Sequence, residues 1–212
     1  MCSQYTLKTE AKRLADIYHA DIDEKFEELI DMQVFPYKPG IVFKDGRLSK
    51  LNYSLVPSWS KDRRVKFATY NARIEDIETK PTWKGPFVER HCVVPLTTFI
   101  EPIYEGELGG NMVAFGKEKI LHAAGIWDRW KDATTGEVIE SYAILTSPPY
   151  PFIAKAGHDR SPIFIKESAI QKWVSLQSKD PKEIKQFLRD HWESLDNFST
   201  TKVRPLKTPV TL

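Results

Sequence analysis

The sequence predicts one α+β domain, with strands gathered in the middle of the chain and helices at both ends. Three observations carry this. Strand-like runs fall between residues 34 and 147, and helix-period apolar residues occur before and after them; that is the order of an α+β chain rather than of alternating βαβ units. The 212 residues contain no internal repeat, low-complexity tract or Gly/Ser linker, so nothing marks a boundary between domains. Asp45-Gly46 joins two strand-like runs, the pairing expected of a tight hairpin turn.

The elements follow in order. Residues 9–31 read as one amphipathic helix, because Leu14, Tyr18, Ile22, Phe26 and Ile30 recur every four residues with acids between them. Thr9 is its expected N-cap. The runs 34–43 and 47–56 are strands flanking the Asp45-Gly46 turn. Further strands are expected at 92–100, 111–116, 119–127 and 140–147, with turns at Gly109-Gly110, Gly116 and Thr135-Gly136. Helices return at 167–177, through Ile170, Trp173, Val174 and Leu176, and at 182–192, through Ile184, Phe187 and Leu188. The last 15 residues, with Pro205 and Pro209, read as an irregular tail or an edge strand.

Composition narrows the class. Hydrophobic residues at 41% and charged residues at 28% exclude disordered and collagen-like chains. No apolar run approaches the roughly 20 residues of a membrane helix, and mean hydropathy is −0.42. The start MCSQYTLKTEAKR has no apolar signal region. Two cysteines, Cys2 and Cys92, make no disulfide framework, which suits a reducing, cytoplasmic setting. Net charge is +2, but its distribution is uneven. Residues 1–35 carry 4 basic and 8 acidic side chains, residues 36–90 carry 12 and 6, and residues 91–212 carry 15 and 15. The basic middle segment suits either a local anion-binding face or an ordinary solvated surface.

Several residues could carry chemistry. Removal of Met1 would leave Cys2 with an amine and a thiol on adjacent carbons. The α-amine titrates at ~8, so a useful fraction is free base at neutral pH. It can condense with an aldehyde to an imine, which the sulfur closes to a five-membered thiazolidine. The same cysteine could instead cleave an amide as an N-terminal nucleophile, or be a chance residue at a frayed end. Glu101 follows the apolar run Val93–Ile100; it is either a buried acid with a raised pKa, able to exchange protons, or an exposed strand end. His158, in a loop, is a proton shuttle or a capping residue. Asn71 and Arg73 suit donors to an anion or ordinary turn residues. Trp59, just ahead of Arg63-Arg64, suits base stacking beside phosphates or a place in the core. His91 and Cys92 are adjacent and no C-x-x-C pair occurs, which argues against a structural zinc site. There is no P-loop or dinucleotide fingerprint.

The blocks LVPSW (55–59), YNARIE (70–75), VVPLTTFIEP (93–102), AAGIW (123–127), YAILTSPP (142–149) and HDRSPIF (158–164), with Met-Cys at the start, resemble the SRAP family. Its members are SOS response-associated peptidases, also called abasic-site processing proteins. The resemblance spans roughly residues 1–205. It implies a single domain over 1–212 with a core at about 2–205 and a central, mostly antiparallel, barrel-like sheet. Cys2 would join covalently to the aldehyde of an abasic site in single-stranded DNA and would also remove Met1. Asn71, Glu101 and His158 would complete the catalytic group. Trp59, Arg73, Arg160, Pro39 and Ser58 would bind DNA. No cofactor and no metal are implied, and the expected state is a cytoplasmic monomer, nucleoid-associated if bacterial. Two departures stand out. The family's usual Cys-Gly-Arg start is here Cys2-Ser3-Gln4, which removes one phosphate contact. Its Gly-Phe-Tyr-Glu-Trp block is Thr98-Phe99-Ile100-Glu101-Pro102, and Pro102 biases Glu101 towards extended backbone. Two rival readings keep parts of this picture: a cysteine peptidase or amidohydrolase acting on proteins, and a noncovalent single-strand-binding module.

Overall fold

Long strands with an apolar residue on both faces need cover on both sides, and here they find it by closing into a barrel with helices outside it. The computed structural model describes residues 3–20, 24–176 and 179–206; Met1 and Cys2 lie outside them. The chain runs β1 (Gln4–Thr6), α1 (Ala11–Tyr18), a 3₁₀ turn (Glu24–Leu29), β2 (Gln33–Val34), β3 (Pro39–Lys44), β4 (Arg47–Tyr53), β5 (Asn71–Arg73) and α2 (Pro81–Glu89). There follow β6 (His91–Ile103), β7 (Asn111–Lys131), β8 (Val138–Ser147), α3 (Pro151–Lys155), β9 (Ser161–Pro162), a 3₁₀ turn (Glu167–Ala169), α4 (Ile170–Val174), α5 (Pro181–Asp190) and β10 (Ser199–Pro205).

Five strands close the barrel in the order β6-β7-β8-β4-β3, with Phe43 opposite Val93 completing the ring. Most pairings are antiparallel; β4 and β5 run parallel to β8. β1 lies on the C-terminal half of β6, with Gln4 opposite Ile100, and β2 lies outside it. Side chains alternate between two apolar sets, as the period of two requires. Val42, Tyr53, Val94, Leu121, Tyr142 and Ile144 belong to one set. Ile41, Phe43, Val93, Ala124 and Leu145 belong to the other, which packs on Leu14 of α1, Phe87 of α2, Trp173 of α4 and Leu188 of α5.

The mixed α+β class and barrel-like sheet match expectation, and several boundaries do not. The helix expected over 9–31 ends at Tyr18, because His19 adopts left-handed backbone (φ 49°) and its N–H turns back to the Ala15 carbonyl. Its N-cap is Glu10, without a side-chain cap bond, rather than Thr9. Ile22 lies outside the described residues. The strand expected over 34–43 is interrupted at Tyr37 (φ 67°). The strands expected at 111–116 and 119–127 are one strand, β7. Gly116 is not a turn: it pairs with Thr98 beside a register shift in the β6–β7 ladder, and a Cβ there would come within 2.6 Å of the threonine methyl. Helix α2 was not foreseen: Gly85 and Pro86 inside it erase the apolar period. The tail forms an edge strand, β10, along β7, while Pro209 lies outside the described residues.

Gly40 makes the tightest demand on the barrel interior. The hydroxyls of Tyr5 and Tyr142 hydrogen-bond to each other, fully buried, against its backbone. A Cβ at Gly40 would overlap both oxygens. Overpacking of this kind costs about 1–3 kcal/mol, and separating the hydroxyls adds about 1 kcal/mol. Gly40→Ala should therefore lower the Tm by roughly 5–12 °C in a thermal melt; an unchanged melt would show that the tyrosines move aside freely.

Candidate functional site

Glu101 stands near the end of β6, in the extended backbone that Pro102 favours, and is fully buried. Burial pushes its carboxyl up to about 8, so it is protonated at neutral pH. His158 meets it from the loop after α3, with Nε2 at 3.5 Å from Glu101 Oε2. Gly157 makes this approach possible: its φ is 94°, and a Cβ would sit 3.3 Å from the Glu105 carbonyl. Burial also lowers the pKa of His158. Both shifts favour a neutral acid beside a neutral imidazole over a buried ion pair. The other ring nitrogen, Nδ1, lies 2.9 Å from the Arg160 carbonyl oxygen and 3.1 Å from the Arg160 amide nitrogen. With Nδ1 donating to that carbonyl, Nε2 accepts from Glu101; with Nδ1 accepting from the amide, Nε2 donates. The pair can pass a proton in either sense.

Arg160 is turned inward. Its guanidinium donates to both Glu75 carboxylate oxygens, at 2.6 and 3.0 Å, and to the Thr146 carbonyl at 2.8 Å. Burial raises the Glu75 pKa, but the hydrogen bonds and charge of Arg160, with the charge of Arg73, outweigh it and hold the carboxyl low. The fork that the resemblance assigns to DNA binding is thus occupied by a carboxylate, and through its backbone Arg160 orients His158. Glu75 had no assigned role in the sequence; its place two residues after Arg73 was the available signal.

Asn71 and Arg73 sit on β5, beside β8, and open onto a groove of about 410 Å³ walled by Phe67, Tyr70, Pro81 and Trp83. Trp59 borders this groove: it is 57% exposed, which removes it from the core, and its indole N–H donates to the Pro81 carbonyl at 3.2 Å. Lys61, Arg63, Arg64 and Lys66 are exposed on the same 54–70 connection. Ser58 is exposed, with its backbone N–H on Asp128. Pro39 opens β3 opposite Asn52, two residues after Tyr37, whose ring carries the Arg64 guanidinium at 4.5 Å. The fold therefore brings Glu101, His158 and Arg160 together, and ties them through Glu75 to Arg73 and the aromatic, cationic groove. Cys2 lies outside the described residues. Among those residues no cluster of His, Cys, Asp or Glu is placed to hold a metal ion, and no helix is long and apolar enough to cross a membrane.

A small closed barrel with a buried acid–imidazole pair at one strand end and a basic, aromatic groove beside it defines the class. The family model described as SOS response associated peptidase (SRAP) matches residues 1–210, and the chain belongs to that family. It is similar to the abasic site processing protein YoaM of Bacillus subtilis, with 27% identity covering 89% of this chain and 85% of that protein. It is also similar to the chicken abasic site processing protein HMCES, with 26% identity covering 67% of this chain and 49% of that protein. Crystal structures of proteins from Bacteroides thetaiotaomicron and Bordetella bronchiseptica share the fold. The first has a TM-score of 0.77 at 23% identity, covering 96% of this chain and 92% of that one. The second has 0.75 at 19%, covering 96% and 100%.

Proposed function

We propose that this protein captures abasic sites in single-stranded DNA covalently, through Cys2, once Met1 has been removed. The observation that carries the reading is the neutral Glu101–His158 pair at 3.5 Å, placed where the first strand joins β6. Gln4 pairs with Ile100, next to Glu101, and Cys2 is two residues from Gln4. Two residues of chain reach at most about 7 Å, which suits a reaction shared between Cys2 and Glu101. The names of the relatives, abasic site processing proteins, point to the same substrate.

In the proposed sequence, Cys2 Sγ first attacks the Met1 carbonyl. The amide C–N bond breaks as nitrogen takes a proton, and water releases methionine from the thioester. The freed α-amine then adds to the aldehyde carbon of the ring-opened abasic sugar. Glu101 gives its proton to the hydroxyl, which leaves as water, and an iminium forms. The Cys2 thiol returns a proton to Glu101 as sulfur bonds to the same carbon, closing a thiazolidine with net loss of one water. His158 holds the carboxyl and relays its proton; Asn71 orients the aldehyde side. Bases stack on Trp59, and Arg73 with the 61–66 cations neutralises phosphates.

A denaturing gel tests this. Protein with Met1 absent by mass should give a heat-stable slow band with an abasic oligonucleotide and none with an intact one. Native binding to both oligonucleotides without a denaturant-stable band would favour a noncovalent module, and cleavage of casein would favour a peptidase acting on proteins.

A further inference from the structure

The exposed tryptophan is held by a set of bonds that the chemistry above does not use. Along the segment leading to and past Trp59, every second residue bonds to a side chain on the neighbouring strands β7 and β8. The Val56 N–H donates to Ser141 Oγ at 2.8 Å, the Ser58 N–H donates to Asp128 Oδ2 at 2.8 Å, and the Ser60 carbonyl accepts from the Trp130 indole N–H at 2.8 Å. Asp128 and Trp130 are two residues apart, on one face of β7, and Ser141 is directly opposite Asp128. All three are almost completely buried. A Ser60 N–H to Pro57 carbonyl bond of 2.9 Å closes the turn. Asp128 also accepts from Arg90 at 3.2 Å and from the Arg129 N–H, so its carboxylate is held in place on several sides. A buried carboxylate and a buried indole that end on backbone groups either side of an exposed aromatic fix where that aromatic stands.

We propose that Asp128 and Trp130 are positioning residues that hold the Trp59 turn as a preformed stacking platform for a nucleobase of single-stranded nucleic acid. The inference rests on the DNA-binding part of the proposed function and not on the Cys2 chemistry. A platform ordered before binding loses no freedom when a base docks, so its stacking appears in full as affinity.

The test is a double-mutant cycle on noncovalent binding of labelled, intact oligo-dT, read by anisotropy. Trp59→Ala should weaken binding about tenfold or more, the scale of one lost stack. Asp128→Asn keeps side-chain size and Trp130→Phe keeps an aromatic ring, while weakening or removing the bonds; each should weaken binding about 3–10-fold, and by less than about twofold when Trp59 is already alanine. Equal losses in both backgrounds would overturn the proposal, because the clamp would then serve the fold and not Trp59. No loss in the native background, or no effect of Trp59→Ala, would overturn it as well. The abasic gel on the same proteins reads the chemistry separately: a protein that binds oligo-dT with this coupling but forms no adduct would sink the Cys2 reading and leave the platform standing.

Discussion

Glu101→Gln should slow adduct formation by about 10²–10⁴, the scale for losing a general acid or base, while leaving the barrel folded. Glutamine keeps the size and one carbonyl but has no proton to give to the departing hydroxyl. The pH profile separates this from a packing effect. Attack requires the α-amine as free base, a fraction that rises through ~8, whereas water loss requires protonated Glu101, a fraction that falls above about 8. The native rate should therefore peak near pH 8, and the variant's residual rate should rise without a falling limb. An unchanged single-turnover rate would remove Glu101 from the mechanism.

The same substitution should change stability in a predictable sense. The Glu101 carboxyl has a folded pKa of about 8 against an ordinary value of 4.5, so the folded protein holds a proton that the unfolded chain gives up. That contribution is fully present below about pH 4.5 and is lost as pH rises towards 8, at about 1.4 kcal/mol per pH unit. Glu101→Gln lacks this slope, so it should gain on the native protein steadily across that range. Denaturant midpoints at pH 5 and pH 8 measure it; parallel pH dependence in both proteins would show that Glu101 is not held neutral.

Cys2→Ala should abolish the heat-stable adduct altogether. Alanine at position 2 still allows a cellular aminopeptidase to remove Met1, so an α-amine remains to form the imine. No sulfur is present to close the ring. The imine acidifies the neighbouring sugar carbon, and loss of that proton expels the 3′ phosphate by β-elimination. The variant should therefore nick abasic DNA and be trapped on it by borohydride, whereas the native protein should form the stable adduct with little nicking. Glu101→Gln in the same background should reduce the nicking. A fully trimmed Cys2→Ala protein that still gave a heat-stable adduct without borohydride would exclude the thiazolidine.

Period and turn chemistry in the sequence determined most of the scaffold: the Asp45-Gly46 hairpin, the central cluster of strands and the two late helices. These are local signals, since alternation, helical spacing and turn residues act over a few neighbours. The ends of elements escaped: a left-handed His19 stops the first helix with no glycine to announce it, and Gly116 stays in strand because of its distant partner Thr98. The residues of the candidate site also drew notice in the sequence, Glu101 and His158 from their blocks and Trp59 from its cationic neighbours. Only the tertiary structure decided their states. Burial is a property of the closed barrel, and it is the main reason why Glu101 is a neutral acid at pH 7 and His158 a weak base beside it. The same closure turned Arg160 inward onto Glu75 and set Asp128 and Trp130 under the Trp59 turn, pairings across 85 and 70 residues that no local spacing encodes.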